Sequence, residues 1–227
     1  PRLLVLDEPT AVLPPEEIGA LLDVCRRVAD SGRAVILVTH KLAEIVRVAD
    51  RVSVLRAGRR VAGAEMARAD IGELVRAMVG REVASLDSAL AASLGVDGAP
   101  ASAARETGGP ASRSVEVVMR CDDLTLVDRN GTVRLDRLAL EIGRGEVVGL
   151  AGVEGNGQIE LEGVLCGLTR PSSGRFYVGG KELTRASPAA ITAAGAGIVP
   201  EDRHSAGCVP AMSLAENMFI NKLARFT

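Results

Sequence analysis

Aromatic side chains are nearly absent from this sequence, whose 227 residues include no tryptophan, one tyrosine and three phenylalanines. An excess of positive charge is absent as well, because the chain has 27 lysines and arginines against 29 aspartates and glutamates. Surfaces that bind nucleic acid are basic and commonly carry stacking rings. The composition therefore argues against a nucleic-acid partner.

Paired cysteines and long hydrophobic runs are also missing. The four cysteines are widely separated and form no C-x-x-C pair: Cys25, Cys121, Cys166 and Cys208. This spacing predicts reduced, mostly buried thiols in a cytosolic protein and argues against a disulfide framework or a zinc site. No apolar run approaches the roughly 20 residues that span a bilayer, so any membrane contact is predicted to go through a protein partner. Hydrophobic residues nevertheless make up 47% of the chain, which is enough for a packed core.

Residues 3–10, LLVLDEPT, run from four apolar residues into two carboxylates and a proline. Consecutive apolar residues predict a strand buried on both faces, as in a parallel sheet, and Pro9 ends it. Open α/β sheets bind their ligands at the carboxyl ends of strands, which is where Asp7 and Glu8 stand. The alternative is that these two acids merely open a solvated turn.

A second apolar run, residues 34–38, ends in Thr39-His40. Its β-branched composition predicts another buried strand. A lone histidine after a strand is more often a structural hydrogen-bonding residue than a catalyst. Its expected position at the same sheet edge as Asp7 and Glu8 favours a site residue instead.

The remaining patterns of the first 82 residues predict short helices and one hairpin. Apolar residues at helical spacing predict helices after Pro14-Pro15, from Leu42 and from Ile71, the last ending before Gly80. Two apolar runs flank Ala57-Gly58 and predict a hairpin there.

Composition changes after this region. Residues 83–114 are rich in Ala, Ser, Gly and Pro and predict a flexible linker. Alternating apolar residues over 115–142 predict half-buried antiparallel strands. A hairpin is predicted at 175–183, and a helix is predicted from Ser187-Pro188.

A phosphate-loop frame without its usual chemistry lies in this second region. A predicted buried strand, residues 147–151, is followed by a G-x-x-G-x-G frame, which places backbone N–H groups around phosphates at a helix N-terminus. Gln158 stands where a lysine reaches the phosphates, and Ile159 stands where a hydroxyl ligates Mg²⁺. The lost lysine contact predicts a nucleotide affinity about 10- to 100-fold weaker. A plain strand-to-helix turn is the alternative.

These motifs resemble those of ATP-binding cassette (ABC) ATPases. Residues 3–10 resemble the Walker B motif, and this resemblance implies that Asp7 holds magnesium and Glu8 is the general base. His40 resembles the switch histidine that contacts the γ-phosphate. The glycine frame resembles the degenerate phosphate loop in the second cassette of tandem importers for simple sugars and nucleosides, and residues 198–204 resemble the Q-loop region. The nucleotide-binding residues implied are Gly152, Gly155, Asn156, Gly157, Gln158 and Glu201.

The resemblance implies an α/β P-loop NTPase core with a mostly parallel sheet and an antiparallel β subdomain, present as two partial cassettes. Within one cassette the phosphate loop precedes Walker B, and here the order is reversed. We therefore expect a fragment: residues 1–82 as the C-terminal half of a first nucleotide-binding domain, 83–114 as linker, and 115–227 as the N-terminal half of a second. A further hypothesis is that the two halves pack as one circularly permuted cassette-like core.

The function implied is an ATP-hydrolysing subunit, using ATP and Mg²⁺, that energises an importer for sugars or nucleosides. It implies integral-membrane permease subunits as partners, a solute-binding protein indirectly, and cassette–cassette pairing in the parent protein at the cytoplasmic face of the membrane. The fragment alone is predicted not to hydrolyse ATP. The alternatives are a non-catalytic permease-interaction module and a soluble ABC ATPase of translation or DNA repair.

Overall fold

Two β-sheets organise the chain. The computed structural model describes residues 1–80, 116–153, 155–202 and 207–219, so the predicted linker and His204 lie outside the described residues. The strands, in chain order, are β1 (Leu3–Asp7), β2 (Ala34–Thr39), β3 (Arg51–Arg56), β4 (Arg59–Glu65), β5 (Val117–Val127), β6 (Val133–Gly143), β7 (Val147–Ala151), β8 (Ser173–Val178), β9 (Lys181–Glu182) and β10 (Ala196–Val199).

Short helices connect these strands. They are α1 (Pro15–Asp30), α2 (Leu42–Val48), the 3₁₀ turn Met66–Arg68, α3 (Ile71–Val79), α4 (Gln158–Leu165), α5 (Pro188–Ala193) and α6 (Leu214–Phe219). Local signals explain their ends: the Asp70 side chain caps the N-terminus of α3, and Gly80 ends it in the left-handed conformation with φ 74°. No helix in the described ranges is long and apolar enough to cross a membrane.

The larger sheet has six strands in the order β10-β1-β2-β7-β3-β4. Its first five strands are parallel, and β4 pairs antiparallel at one edge. We call residues 1–80 the first part and the described residues from 116 to 219 the second part. Strand β7 of the second part lies between β2 and β3 of the first, and β10 extends the sheet beside β1. The hypothesis that the two parts pack into one core is confirmed, whereas the domain boundaries stay a prediction.

The smaller sheet is antiparallel, in the order β6-β5-β8-β9. Together the two sheets confirm the predicted α/β class with a mostly parallel sheet and an antiparallel one. One apolar cluster is shared by both parts of the chain, since Leu3 and Ile36 pack in it together with Leu150 and Phe176. Burial of such side chains is the main force that holds the two parts together.

Polar contacts reinforce the junction between the parts. The Arg26 guanidinium on α1 contacts both carboxylate oxygens of Asp50 at 3.0 and 2.8 Å and donates to the Gly145 carbonyl at 3.0 Å. Asp50 also accepts the backbone N–H of Val147 at 2.8 Å. One guanidinium nitrogen thus contacts both carboxylate oxygens of Asp50, and these charge-assisted contacts fix the start of β7 against the first part.

All four cysteines are free thiols. Cys25 and Cys121 are buried, Cys166 is half-buried and Cys208 is exposed. Burial raises the pKa of the Cys25 thiol to about 11, so this side chain behaves as an uncharged core residue.

Candidate functional site

Three predicted site residues each follow directly after one of three adjacent parallel strands. Glu8 follows β1, His40 follows β2 and Gly152 follows β7. The strand register pairs Asp7 with Val38 and pairs the last residues of β2 and β7 with each other. The structure therefore gathers these residues from both parts of the chain at one carboxyl edge of the sheet; a shared edge was predicted for Glu8 and His40.

Glu8 and His40 make direct contact at this edge. The Oε1 atom of Glu8 accepts the backbone N–H of His40 at 2.9 Å and lies 2.7 Å from its Nδ1. A contact this short between an imidazole nitrogen and a carboxylate oxygen is a hydrogen bond, in which Nδ1 is the donor when the Glu8 carboxylate is ionised. The Glu8 backbone has φ 39°, a left-handed conformation that is uncommon for a non-glycine residue and is found more often at functional sites.

Asp7 is buried beside other acids. Its side chain is 2% exposed, and its carboxyl lies close enough to that of Glu162 on α4 for each to affect the pKa of the other. Burial, followed by the nearby carboxylates of Glu162, Glu201 and Glu8, raises the pKa of Asp7 to about 8. Burial also raises the pKa of Glu162. The paired carboxyls therefore hold a proton at neutral pH.

The glycine-rich loop is tied together by its own side chains. The Gln158 carboxamide accepts the Asn156 backbone N–H at 3.1 Å and donates to the Val153 carbonyl at 3.0 Å. The Asn156 side chain donates to the same carbonyl at 2.8 Å. Loop and helix thus follow the predicted strand–loop–helix order, and Gln158 is the first residue of α4.

The hairpin turn of the first part packs on this loop. The backbone N–H of Ala57 donates to the Asn156 side-chain oxygen at 2.8 Å, and that of Gly58 donates to the Asn156 carbonyl at 3.0 Å. Gly157 has φ 105°, and a Cβ atom there would lie 3.1 Å from the Gly58 Cα and from a β6 carbonyl. Only glycine fits both the backbone conformation and the space at position 157.

The residues at the sheet edge fit a cation only in part. The Oδ2 atom of Asp7 is buried and has no hydrogen-bond partner in the described part of the chain, so it is an available oxygen ligand. Over the same residues there is no group of three or more His, Cys, Asp or Glu side chains that could hold a metal ion by itself. This arrangement fits Mg²⁺ as it commonly binds, through one or two carboxylates with phosphate and water completing the shell.

Two acidic residues near this edge were missed from the sequence. Glu162 lies on α4 between apolar residues, and its contact with Asp7 depends on how that helix packs over the sheet. Glu44 on α2 is 4% exposed and accepts the Thr10 hydroxyl at 2.5 Å. The sequence of a helix does not indicate which distant side chain a carboxylate on it will contact, so neither contact could be predicted. Glu201, which was predicted, lies two residues after β10 and close enough to Asp7 to raise its pKa.

The chain is similar in sequence to import ATP-binding proteins of several bacteria. No family model matches the chain. It is 37% identical over 216 residues to a nucleoside import ATP-binding protein (NupA) of Lactococcus lactis subsp. cremoris, covering 95% of this chain and 39% of that protein. It is 37% identical over 225 residues to a ribose import ATP-binding protein (RbsA) of Chromobacterium violaceum, covering 99% of this chain and 40% of that protein.

A solved nucleotide-free ATP-binding cassette from an ABC transporter covers 47% of this chain and 46% of its own, with a TM-score of 0.36 and 21% identity. The chain spans about two fifths of the length of the two curated relatives above. Its similarity to them extends over nearly all of its own length and therefore includes both parts. Over nearly its whole length the chain is therefore related to proteins named as nucleoside and ribose import ATP-binding proteins, in line with the resemblance of its motifs.

Proposed function

We propose that this chain is part of an ATP-hydrolysing subunit that energises the import of simple sugars or nucleosides. One observation carries the proposal: Glu8 and His40 are in contact at the carboxyl edge of a parallel sheet, next to the buried Asp7. The relatives support it, because the proteins to which the chain is similar are named as nucleoside and ribose import ATP-binding proteins.

In this proposal Glu8 is the general base. Two hydrogen bonds from His40 fix its Oε1 atom, so the carboxylate is held in one orientation before any ligand binds. A base positioned in this way typically contributes about 10²- to 10⁴-fold to a rate. His40 orients Glu8 through Nδ1 and presents Nε2 to the terminal phosphate of the nucleotide.

Asp7 is the proposed magnesium residue. Its unpartnered Oδ2 atom would supply one oxygen ligand, and the ion when bound would neutralise charge on the phosphates. The Asp7 carboxyl, whose pKa is raised to about 8, must first be ionised, because a metal ion binds the ionised form. We place the nucleotide at Gly152, Gly155, Gly157 and the neighbouring loop residues, with Glu201, two residues after β10, beside it.

The proposed partners are integral-membrane permease subunits at the cytoplasmic face, with a solute-binding protein acting indirectly and a second cassette pairing within the same protein.

Gln158 and Ile159 occupy the lysine and hydroxyl positions of the loop. We therefore expect residues 1–227 alone to show no ATP turnover above background, and we assign hydrolysis to the full gene product.

The test is ATP hydrolysis by the full gene product. We expect Glu8→Gln to lower kcat by about 10²- to 10⁴-fold while the dissociation constant for ATP changes less than about threefold. Glu17→Gln is the matched control, since Glu17 is an exposed acid in the first turn of α1. Hydrolysis by the Glu8→Gln variant at the wild-type rate would refute the assignment. If the full gene product hydrolyses ATP but does not co-purify with membranes, a soluble ABC ATPase would be favoured.

A further inference from the structure

The loop between β7 and α4 is already filled by one of its own side chains. The Gln158 carboxamide spans the loop from the Val153 carbonyl to the Asn156 N–H, with contacts of 3.0 and 3.1 Å. A Cβ atom on Gly152 would overlap its Nε2 atom, so the carboxamide fills the space that the glycine leaves open.

Asn156 locks this arrangement to the other part of the chain. Each of its four polar groups has a partner: the backbone N–H donates to Gln158, the carbonyl accepts from Gly58, Oδ1 accepts from Ala57, and Nδ2 donates to Val153. A residue whose polar groups are all satisfied has one strongly preferred conformation. The hairpin turn of the first part therefore holds the loop of the second part in a defined shape.

The charge around the loop favours a neutral occupant. Three acidic residues, Asp7, Glu162 and Glu201, lie near one another at this sheet edge. An amide oxygen satisfies an N–H group as a phosphate oxygen does but adds no negative charge. It is also attached to the loop, so it competes with a free anion at a high effective concentration.

We propose that the Gln158 carboxamide is an internal ligand of the loop, which takes the Asn156 N–H that a phosphate oxygen would otherwise take. A phosphate group then binds only after the Gln158 side chain has turned out of the loop. The inference rests on the proposed function for the class of ligand, a phosphate group, and is independent of the roles given to Glu8 and His40.

The first test is the affinity of the chain for inorganic pyrophosphate, measured by ³¹P NMR titration at constant ionic strength. We expect Gln158→Ala to bind pyrophosphate about tenfold more tightly than the wild type, because one N–H group becomes free for a charged acceptor. We expect Gln158→Glu to bind more weakly than the wild type, since its carboxylate repels the anion. Ile159→Ala is the matched control, because this neighbouring side chain is apolar and 55% exposed.

A residue that directly bound the phosphate would behave in the opposite way, since its removal would weaken binding. Equal or weaker pyrophosphate binding by Gln158→Ala overturns the proposal. It is equally overturned if Ile159→Ala binds as tightly as Gln158→Ala, or if none of these variants binds pyrophosphate.

The second test is hydrogen exchange at two backbone amides, measured without ligand. In Gln158→Ala the Asn156 amide should exchange about tenfold faster, because it has lost its acceptor. The Ala57 amide should keep its rate, since its acceptor is the Asn156 side chain. An unchanged Asn156 rate overturns the proposal, and equal acceleration at both amides, which means general loosening, overturns it as well. Glu8→Gln should leave both rates unchanged, so a failure of the proposed hydrolysis is distinguishable from a failure of this proposal.

Discussion

Replacing Asp7 should change how the stability of the fold depends on pH. The pKa of this carboxyl is raised from its ordinary value of 3.8 to about 8, chiefly by burial and then by the neighbouring acid Glu162. Between these two pH values the folded chain holds a proton that the unfolded chain has released. Folding stability must therefore fall as the pH rises through this window.

The slope follows from the number of protons involved. One proton held only by the folded state makes the free energy of unfolding fall by about 1.4 kcal/mol per pH unit. The raised pKa of Glu162 acts in the same direction. Stability is fully present near pH 4 and is lost progressively toward pH 8, the opposite of the trend for an acid whose pKa is lowered by an ion pair.

Urea unfolding at pH 5, 6, 7 and 8, with a chelator present, measures this slope. Asp7→Asn keeps the buried shape and a hydrogen-bond donor toward Glu162 but removes the titration, so its stability should be nearly constant over the range. Glu16→Gln, an exposed acid at the start of α1, should keep the wild-type slope. A wild-type stability that is flat or rises from pH 5 to 8, or an Asp7→Asn variant that keeps the slope, would refute the reasoning.

Two further predictions concern the junction between the parts. Gly58→Ala should lower the free energy of unfolding by at least about 2 kcal/mol, because φ is +73° and the new Cβ would overlap a β6 carbonyl. Gly131→Ala, at φ +81° with nothing within 4 Å, should lose only about 1 kcal/mol, and equal losses in urea melts would contradict this account. Arg26→Met should cost about 1 to 3 kcal/mol because Asp50 loses the guanidinium nitrogen that contacts both of its carboxylate oxygens. Arg47→Met breaks an exposed pair with side chains 51% and 61% exposed and should change stability by less than about 1 kcal/mol in the same assay.

Strands, turns and helix ends were predicted correctly where they depend on residues close together in the sequence. All six residues of β2 are buried, and consecutive apolar residues can be read directly from the chain. The Ala57-Gly58 hairpin and the Gly80 helix end were predicted from glycines, and both are left-handed where the prediction required it. The same local patterns placed Glu8 and His40 at strand ends, which was enough to predict that they share one edge.

Contacts between distant residues could not be predicted in this way. The Ala57–Asn156 hydrogen bond joins residues 99 positions apart, and it depends on the order of the strands in the sheet. The pairing of Asp7 with Glu162 depends on the packing of α4. Local patterns state which residues face the core, but they do not state which strand lies beside which.

Strand β7 explains why the site depends on both parts of the chain. It pairs with β2 on one side and β3 on the other, so without it the first part would have two separate pairs of strands. Its five residues are all buried, and Ile45 packs so closely over Gly149 that a Cβ atom there would lie 3.0 Å from its Cγ1. The same strand delivers Gly152 to the edge where Glu8 and His40 meet. The contact that completes the sheet is therefore also the contact that brings the loop to the site, and a change that weakens the β2–β7 ladder must disturb stability and site geometry together.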